Sequence, residues 1–212
     1  MKFWLFQHRC PLCEQRTSDY LCARCGAELT SSRFEQRRTS TGSLAVYPWG
    51  VYAGLLRRAL ELLKYGNRPE IGDWLGERLG RWWLEERWPR HYRVIAVPLH
   101  AERLSERGYN QAERLARAFC RRTGMVHSSH LLQRTRATPA LHRLDPIERA
   151  RAIEDAFSVV GSLPPEPVLL VDDIFTTGGT LRQCAVALQQ RGSGPVSAIV
   201  VARPLLYRQT DT

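Results

Sequence analysis

Apolar residues in the second half of the chain come in short unbroken runs, with segments of helical spacing between them. The runs RVIAVPLH (93–100), AFSVV (156–160), VLLVDD (168–173) and VSAIVVARP (196–204) read as strands. They are continuously apolar rather than alternating, as strands buried on both faces are. NQAERLARAFCRR, from Asn110, and TLRQCAVALQQR, from Thr180, repeat apolar residues at three and four positions, which predicts helices. Strands and helices in alternation predict an α/β domain, a parallel sheet with helices on both faces. In such sheets ligands bind at the carboxyl ends of the strands.

The first half is more helical. SLAVYPW (43–49) has strand character and is expected to end at Pro48. AGLLRRALELLKYG (53–66) and IGDWLGERLGRWWLEERW (71–88) both have helical spacing, and the Trp stripe of the second reads as core. MVHSSHLL (125–132) has room for a short strand. Residues 133–151 carry many charges, two prolines and no clean period, which predicts a mobile loop. Residues 26–42 are polar, and 31–42 are expected to link an N-terminal module (1–30) to a main domain (43–212).

Four of the six cysteines define that module. Cys10, Cys13, Cys22 and Cys25 form two C-x-x-C knuckles eight residues apart. Each knuckle presents two thiolates, and two knuckles complete a four-sulfur site of the kind zinc prefers. Paired disulfides and a redox C-x-x-C are the alternatives. The short apolar run in MKFWLFQHRC falls below a signal peptide's core, which argues against disulfides, and a redox motif has one pair rather than two. Four sulfurs leave no open coordination position, so the expected zinc is structural. Cys120 and Cys184 fall in expected helices and read as small hydrophobes.

The chain has 212 residues and 43% hydrophobic composition, enough for one α/β domain and an appendage. No apolar run reaches the roughly 18 residues of a membrane span, and a cytoplasmic protein is expected. Of the 31 basic residues 29 are Arg, and the formal net charge is +10. Such a charge attracts phosphate-bearing ligands or nucleic acid in a salt-dependent way.

The stretch with most chemistry is VLLVDDIFTTGGT (168–180). Its glycines permit a tight turn and close approach of a ligand. Successive amides and the start of the next helix favour an anion, and Thr176, Thr177 and Thr180 add hydroxyl donors. These features make a phosphate cup. It is not a Walker loop, because the closing Gly-Lys-[Ser/Thr] is missing. Asp172 and Asp173 beside such a cup are acceptors for hydroxyl groups, and a ribose 5-phosphate satisfies both halves.

With a strand before it and a helix after it, this string resembles the 5-phosphoribosyl-1-diphosphate (PRPP) signature of type I phosphoribosyltransferases. The resemblance implies that Asp172 and Asp173 contact the ribose hydroxyls, that Thr176, Thr177, Gly178, Gly179 and Thr180 wrap the 5-phosphate, and that Mg²⁺ accompanies PRPP. VIAVPLHAERLSERGYNQAERLARAF and LLKYGNRPEIGDWLGERL extend the likeness to the ComF competence-protein family. With the knuckle, that likeness covers nearly the whole chain. It implies a type I phosphoribosyltransferase-like fold carrying a four-cysteine zinc knuckle. It also implies a pyrophosphate loop containing His100, Arg103, Arg107 and Gly108, and a mobile loop whose Arg134, Arg136, Arg143 and Arg149 close over the anion. Asn110 and Gln111 open the helix behind that pyrophosphate loop. Leu141 and Ala152 stand where the family's loop carries Gln and Asn, which removes hydrogen-bonding capacity from it.

Lys64 is one of only two lysines, placed where a helix ends before Gly66 and where a cation suits the helix dipole. The acceptor of any transfer is not readable, and no general base stands out. Three functions follow from these readings. The first is a ComF-like protein binding PRPP and Mg²⁺ in DNA uptake, with single-stranded DNA and an uptake helicase or other competence proteins as partners. The second is a phosphoribosyltransferase of nucleotide metabolism or salvage. The third is a non-catalytic PRPP sensor.

Overall fold

The computed structural model of the chain describes residues 8–135 and 156–205. A six-stranded sheet organises the main domain. Its strands are β3 (Thr39–Thr41), β4 (Leu44–Val51), β5 (Arg93–Ala96), β6 (Val126–His127), β9 (Val168–Ile174) and β10 (Val196–Arg203). Their spatial order is β3-β4-β10-β9-β5-β6. Every pairing is parallel except β3 with β4, so one antiparallel edge strand completes an otherwise parallel sheet. Residues 168–171 of β9 and 196–202 of β10 are all buried, as the unbroken apolar runs require of central strands covered on both faces.

The predicted helices form with small shifts. They are α2 (Gly54–Tyr65), α3 (Pro69–Glu85), α5 (Gln111–Thr123) and α6 (Gly179–Gln190). Asn110 caps α5 by accepting from the Ala112 amide at 3.0 Å, and Gly124 closes it in the left-handed region. Two further helices, α1 (Ala23–Ser31) and α4 (Ala101–Arg107), lack a long apolar stripe and were not expected.

The Trp stripe is core, as expected. Trp82 and Trp83 are buried, and Trp88 packs on both and on Tyr47, 4.5 Å away between ring centres. On its other side α3 lies unusually close to α5. A Cβ at Gly72 would come within 2.9 Å of the Arg114 Cβ, and one at Gly80 within 2.7 Å of the Arg122 Cβ. Glycine every four residues lets the two backbones approach where larger side chains would hold them apart.

Two expectations shift in the N-terminal half. β4 runs through Pro48 to Val51 rather than ending there. On that edge β3 pairs with residues 44–46, and the Phe34 amide and Ser32 carbonyl bond to Trp49 and Val51. Alternation turns residue 48 the other way from 49 and 51, toward β10, whose parallel pairing continues past it to Val51 and carries the strand on. Residues 31–42, read as a linker, contain these contacts and β3, and Arg33 pairs with Glu85 of α3 at 3.0 Å. Their polar sequence reflects an edge strand with one solvated face.

The loop expected over 133–151 begins from a hairpin, β7 (Leu132–Arg134) with β8 (Phe157–Val159). Residues 136–155 lie outside the described residues. Among the described residues no helix is long and apolar enough to cross a membrane.

Candidate functional site

The knuckle forms from local elements. A hairpin of β1 (His8–Arg9) and β2 (Arg16–Thr17) turns through Cys10 and Cys13, with Glu14 in the left-handed region. The Glu14 amide donates to the Cys10 carbonyl at 2.8 Å, which curls the first C-x-x-C. Cys22 caps α1 and so places Cys25 one turn on. All four sulfurs lie within 4.8 Å of one another, and Cys13 and Cys22 are 3.5 Å apart. A tetrahedral zinc with bonds of roughly 2.3 Å spaces its sulfurs by about 3.8 Å. The cluster therefore fits a structural zinc site. All six cysteines are free thiols rather than disulfides. A bond from the Gln15 backbone lowers the Cys13 thiol to about 6, while burial raises Cys25.

The second site lies at the carboxyl edge of the sheet. Parallel pairing brings the ends of β5, β9 and β10 to one side. β9 carries the two aspartates just before its end at Ile174, and although successive residues on a strand face opposite ways, the two carboxylates remain close enough to interact. Asp172 keeps part of its surface and lines a cavity of about 170 Å³ together with Phe175, Thr176, Thr177, Gly178, Gly179 and Thr180. Asp173 turns inward to 4% exposure and pairs with Lys64, the last-turn cation of α2. Of the two acids expected at a ribose diol, only Asp172 lines this cavity.

The loop is held from behind. Gly178 adopts φ +76°, and a Cβ there would come within 2.7 Å of the Phe175 ring and 2.9 Å of the Thr41 methyl. Arg182 donates to the Thr41 hydroxyl and, at 2.8 Å, to the Thr177 carbonyl. α6 starts at Gly179 with no side-chain cap, so its first amides remain available to an anion. Burial, and after it the charge of Asp173, raises Asp172 well above the usual carboxylate range, while the Asp173 amide and Lys64 act the other way.

α4 occupies the segment that the resemblance marks as a pyrophosphate loop. Arg103, Arg107 and Gly108 line a second cavity of about 840 Å³, and Lys64 lines it too. Arg107 donates to Gln111 and sits over the Tyr65 ring at 5.6 Å. Gly108 ends α4 with φ +77°. His100 caps the helix start outside this cavity's lining, with Nδ1 3.5 Å from the Glu102 carboxylate. Asn110 is consumed as a cap and donates to the Val97 carbonyl at 3.0 Å, and Gln111 is buried. Arg134 lies on β7 over the Phe157 ring at 5.5 Å. Burial lowers Arg134, and nearby Arg103 adds to this. Arg136, Arg143, Arg149, Leu141 and Ala152 lie outside the described residues.

Lys64 thus joins the two cavities, lining one and pairing with the residue beside the other. Its rarity in an arginine-rich chain and its place at a helix end were the signals for it. Nothing in the sequence pointed to Thr41 or Arg182, whose contact spans 141 positions.

No family model matches the chain. DNA utilization protein YhgH of Escherichia coli O157:H7 is 30% identical to it over 208 residues, 92% of this chain and 90% of that protein. Competence protein F of Haemophilus influenzae is 32% identical over 113 residues, 52% of this chain and 49% of that protein. Among solved structures, the glutamine PRPP amidotransferase of B. subtilis aligns with a TM-score of 0.46 at 17% identity, over 67% of this chain and 30% of that one.

Proposed function

We propose a function from one premise: the chain belongs to the family of DNA utilization protein YhgH and the ComF competence proteins. It binds PRPP, or a related ribose phosphate, at the carboxyl edge of its sheet, and acts in the cytoplasm in the handling of incoming DNA. Single-stranded DNA and a DNA-uptake helicase or other competence proteins are its proposed partners.

The observation that supports this reading is that the edge carries two cavities of different chemistry, with Lys64 on the lining of one and paired with the aspartate next to the other. One offers amides, hydroxyls and one carboxylate, in Thr176 to Thr180 with Asp172. The other offers Arg103, Arg107 and Lys64, with Glu102 and Glu106 on the same lining. A ligand with one phosphate, a diol and a second phosphate group meets complementary groups in order: amides and hydroxyls, then Asp172, then the cations. Asp172 is the described carboxylate at the cavity, and its oxygens are the hard donors Mg²⁺ takes. Mg²⁺ bound there with a diphosphate would neutralise part of its charge. The chain's own residues position the sugar: the amides of α6 orient the 5-phosphate, and Asp172 accepts from a ribose hydroxyl.

Calorimetry with PRPP and Mg²⁺ tests the reading. Binding at micromolar to millimolar concentration is expected, and a ligand at 100 times its Kd stabilises the fold by about 2.7 kcal/mol. Absence of both heat and thermal shift with zinc-replete protein would overturn it. DNA contact rests on the net charge of +10. Fluorescence polarisation with labelled single strands is expected to show affinity that falls linearly with the logarithm of salt, and no binding at low salt would remove DNA from the partners.

A further inference from the structure

Two carboxylates beside an anion cup pose an electrostatic problem. Asp172 and Asp173 are adjacent, both in surroundings that strip water from them, and each repels a sugar phosphate arriving at Thr176 to Thr180. Bulk solvent screens this poorly at a partly buried site. A cation from α2 reaches the pair from outside the loop. Lys64 Nζ contacts an Asp173 carboxylate oxygen, with the lysine side chain 19% exposed and the aspartate side chain 6% exposed. The same lysine opens on the cavity of Arg103 and Arg107.

We propose that Lys64 is a positioning residue for anionic sugar phosphates: by neutralising Asp173 it leaves Asp172 as the one acid presented to the ribose. This rests on the ribose-phosphate reading above. The geometry gives the lysine its effect. Asp173 cannot move away, because it is buried at the end of a central strand. Lys64 is anchored as well, since the neighbouring Leu63 carbonyl accepts from the Tyr109 hydroxyl. Without the ammonium, the strand end carries two uncompensated acids beside the phosphate cup, one on its lining and one buried behind it. The other ionisable groups interacting with Asp172 are Cys184 of α6, a buried thiol raised by burial, and Arg134 of β7. Lys64 is the cation seen in contact with an Asp173 carboxylate oxygen.

The test is calorimetric titration of ribose 5-phosphate into wild type, Lys64→Arg, Lys64→Met and the double variant Lys64→Met with Asp173→Asn. Lys64→Met is expected to bind at least about tenfold more weakly at pH 8, the scale of one lost close charge interaction. Lys64→Arg restores binding because it restores the charge. The double variant, which removes both charges of the pair, recovers most of the affinity and keeps the fold measurable should the single variant unfold. Equal binding by wild type and a folded Lys64→Met protein overturns the proposal. So does a double variant as weak as, or weaker than, the single one, which would mean that Lys64 acts by touching the ligand. Failure of wild type to bind ribose 5-phosphate or PRPP overturns instead the reading on which the proposal stands.

Discussion

The knuckle and the carboxyl edge are both clusters of polar side chains fixed by the fold, but they are assembled in opposite ways. The four knuckle sulfurs come from sixteen consecutive residues, and a hairpin and one helical turn suffice to converge them. The edge draws on β3, α2, α4, β9 and α6, from Thr41 to Arg182. A cluster built locally depends on its central ion. A cluster built from distant elements depends on the sheet that aligns them. Damage to the first is therefore expected to be steep and to follow the metal. Damage to the second is graded and separates stability from binding.

The largest effect is expected at the knuckle. Structural zinc in small modules contributes on the order of 10 kcal/mol of binding free energy. Cys25→Ser, or a strong chelator, should release the metal and lower the melting temperature more than any edge substitution. Elemental analysis beside a thermal melt checks this, and a full melt unchanged by chelation would break the comparison.

Next come the two aspartates, adjacent in sequence and unlike in setting. Asp173→Ala leaves the half-buried Lys64 ammonium without its partner and should cost about 3 kcal/mol of stability. Asp172→Ala should cost far less stability, because the close contact with Lys64 is made by Asp173, yet it should abolish ribose-phosphate binding. Urea melts and calorimetry on both variants would sharpen the contrast. Equal stability losses would remove it.

Smaller again is the clasp behind the phosphate loop. Thr41→Val removes the hydroxyl that Arg182 donates to, at a cost of about 1 kcal/mol. Ribose-phosphate affinity should fall several-fold, with the zinc content unchanged. That combination would show the two regions to be separable.

The smallest effect concerns pH. Asp172 is raised above its unfolded value by burial and by Asp173. Such a group favours the fold below its unfolded pKa of about 3.9, and that contribution is lost as pH rises through the folded value. Asp172→Asn should therefore stabilise the protein at pH 8 and by less at pH 5. Melts at the two pH values check the sign.

What sequence alone determined was whatever short-range physics specifies. The C-x-x-C spacings specified the sulfur cluster, since two thiols three residues apart converge in one turn wherever the turn sits. The string from Val168 to Thr180 specified strand, turn and helix, because an apolar run, a Gly-Gly turn and a helical period are each local signals. The helices from Gly54 and Gln111 followed from their apolar stripes. Helix α1 was missed because its stripe is short and its cap is a cysteine. β3 was missed because an edge strand of Thr-Ser-Thr carries no apolar pattern. Only the tertiary structure decided which aspartate faces the cavity and which the interior. It alone set Lys64 against Asp173 across 109 positions, and Thr41 against Arg182. Those pairings depend on where α2 ends relative to β9 and on β3 closing the far side of the sheet. Periodicity reports which face of an element is buried, and carries no record of which distant element will cover it.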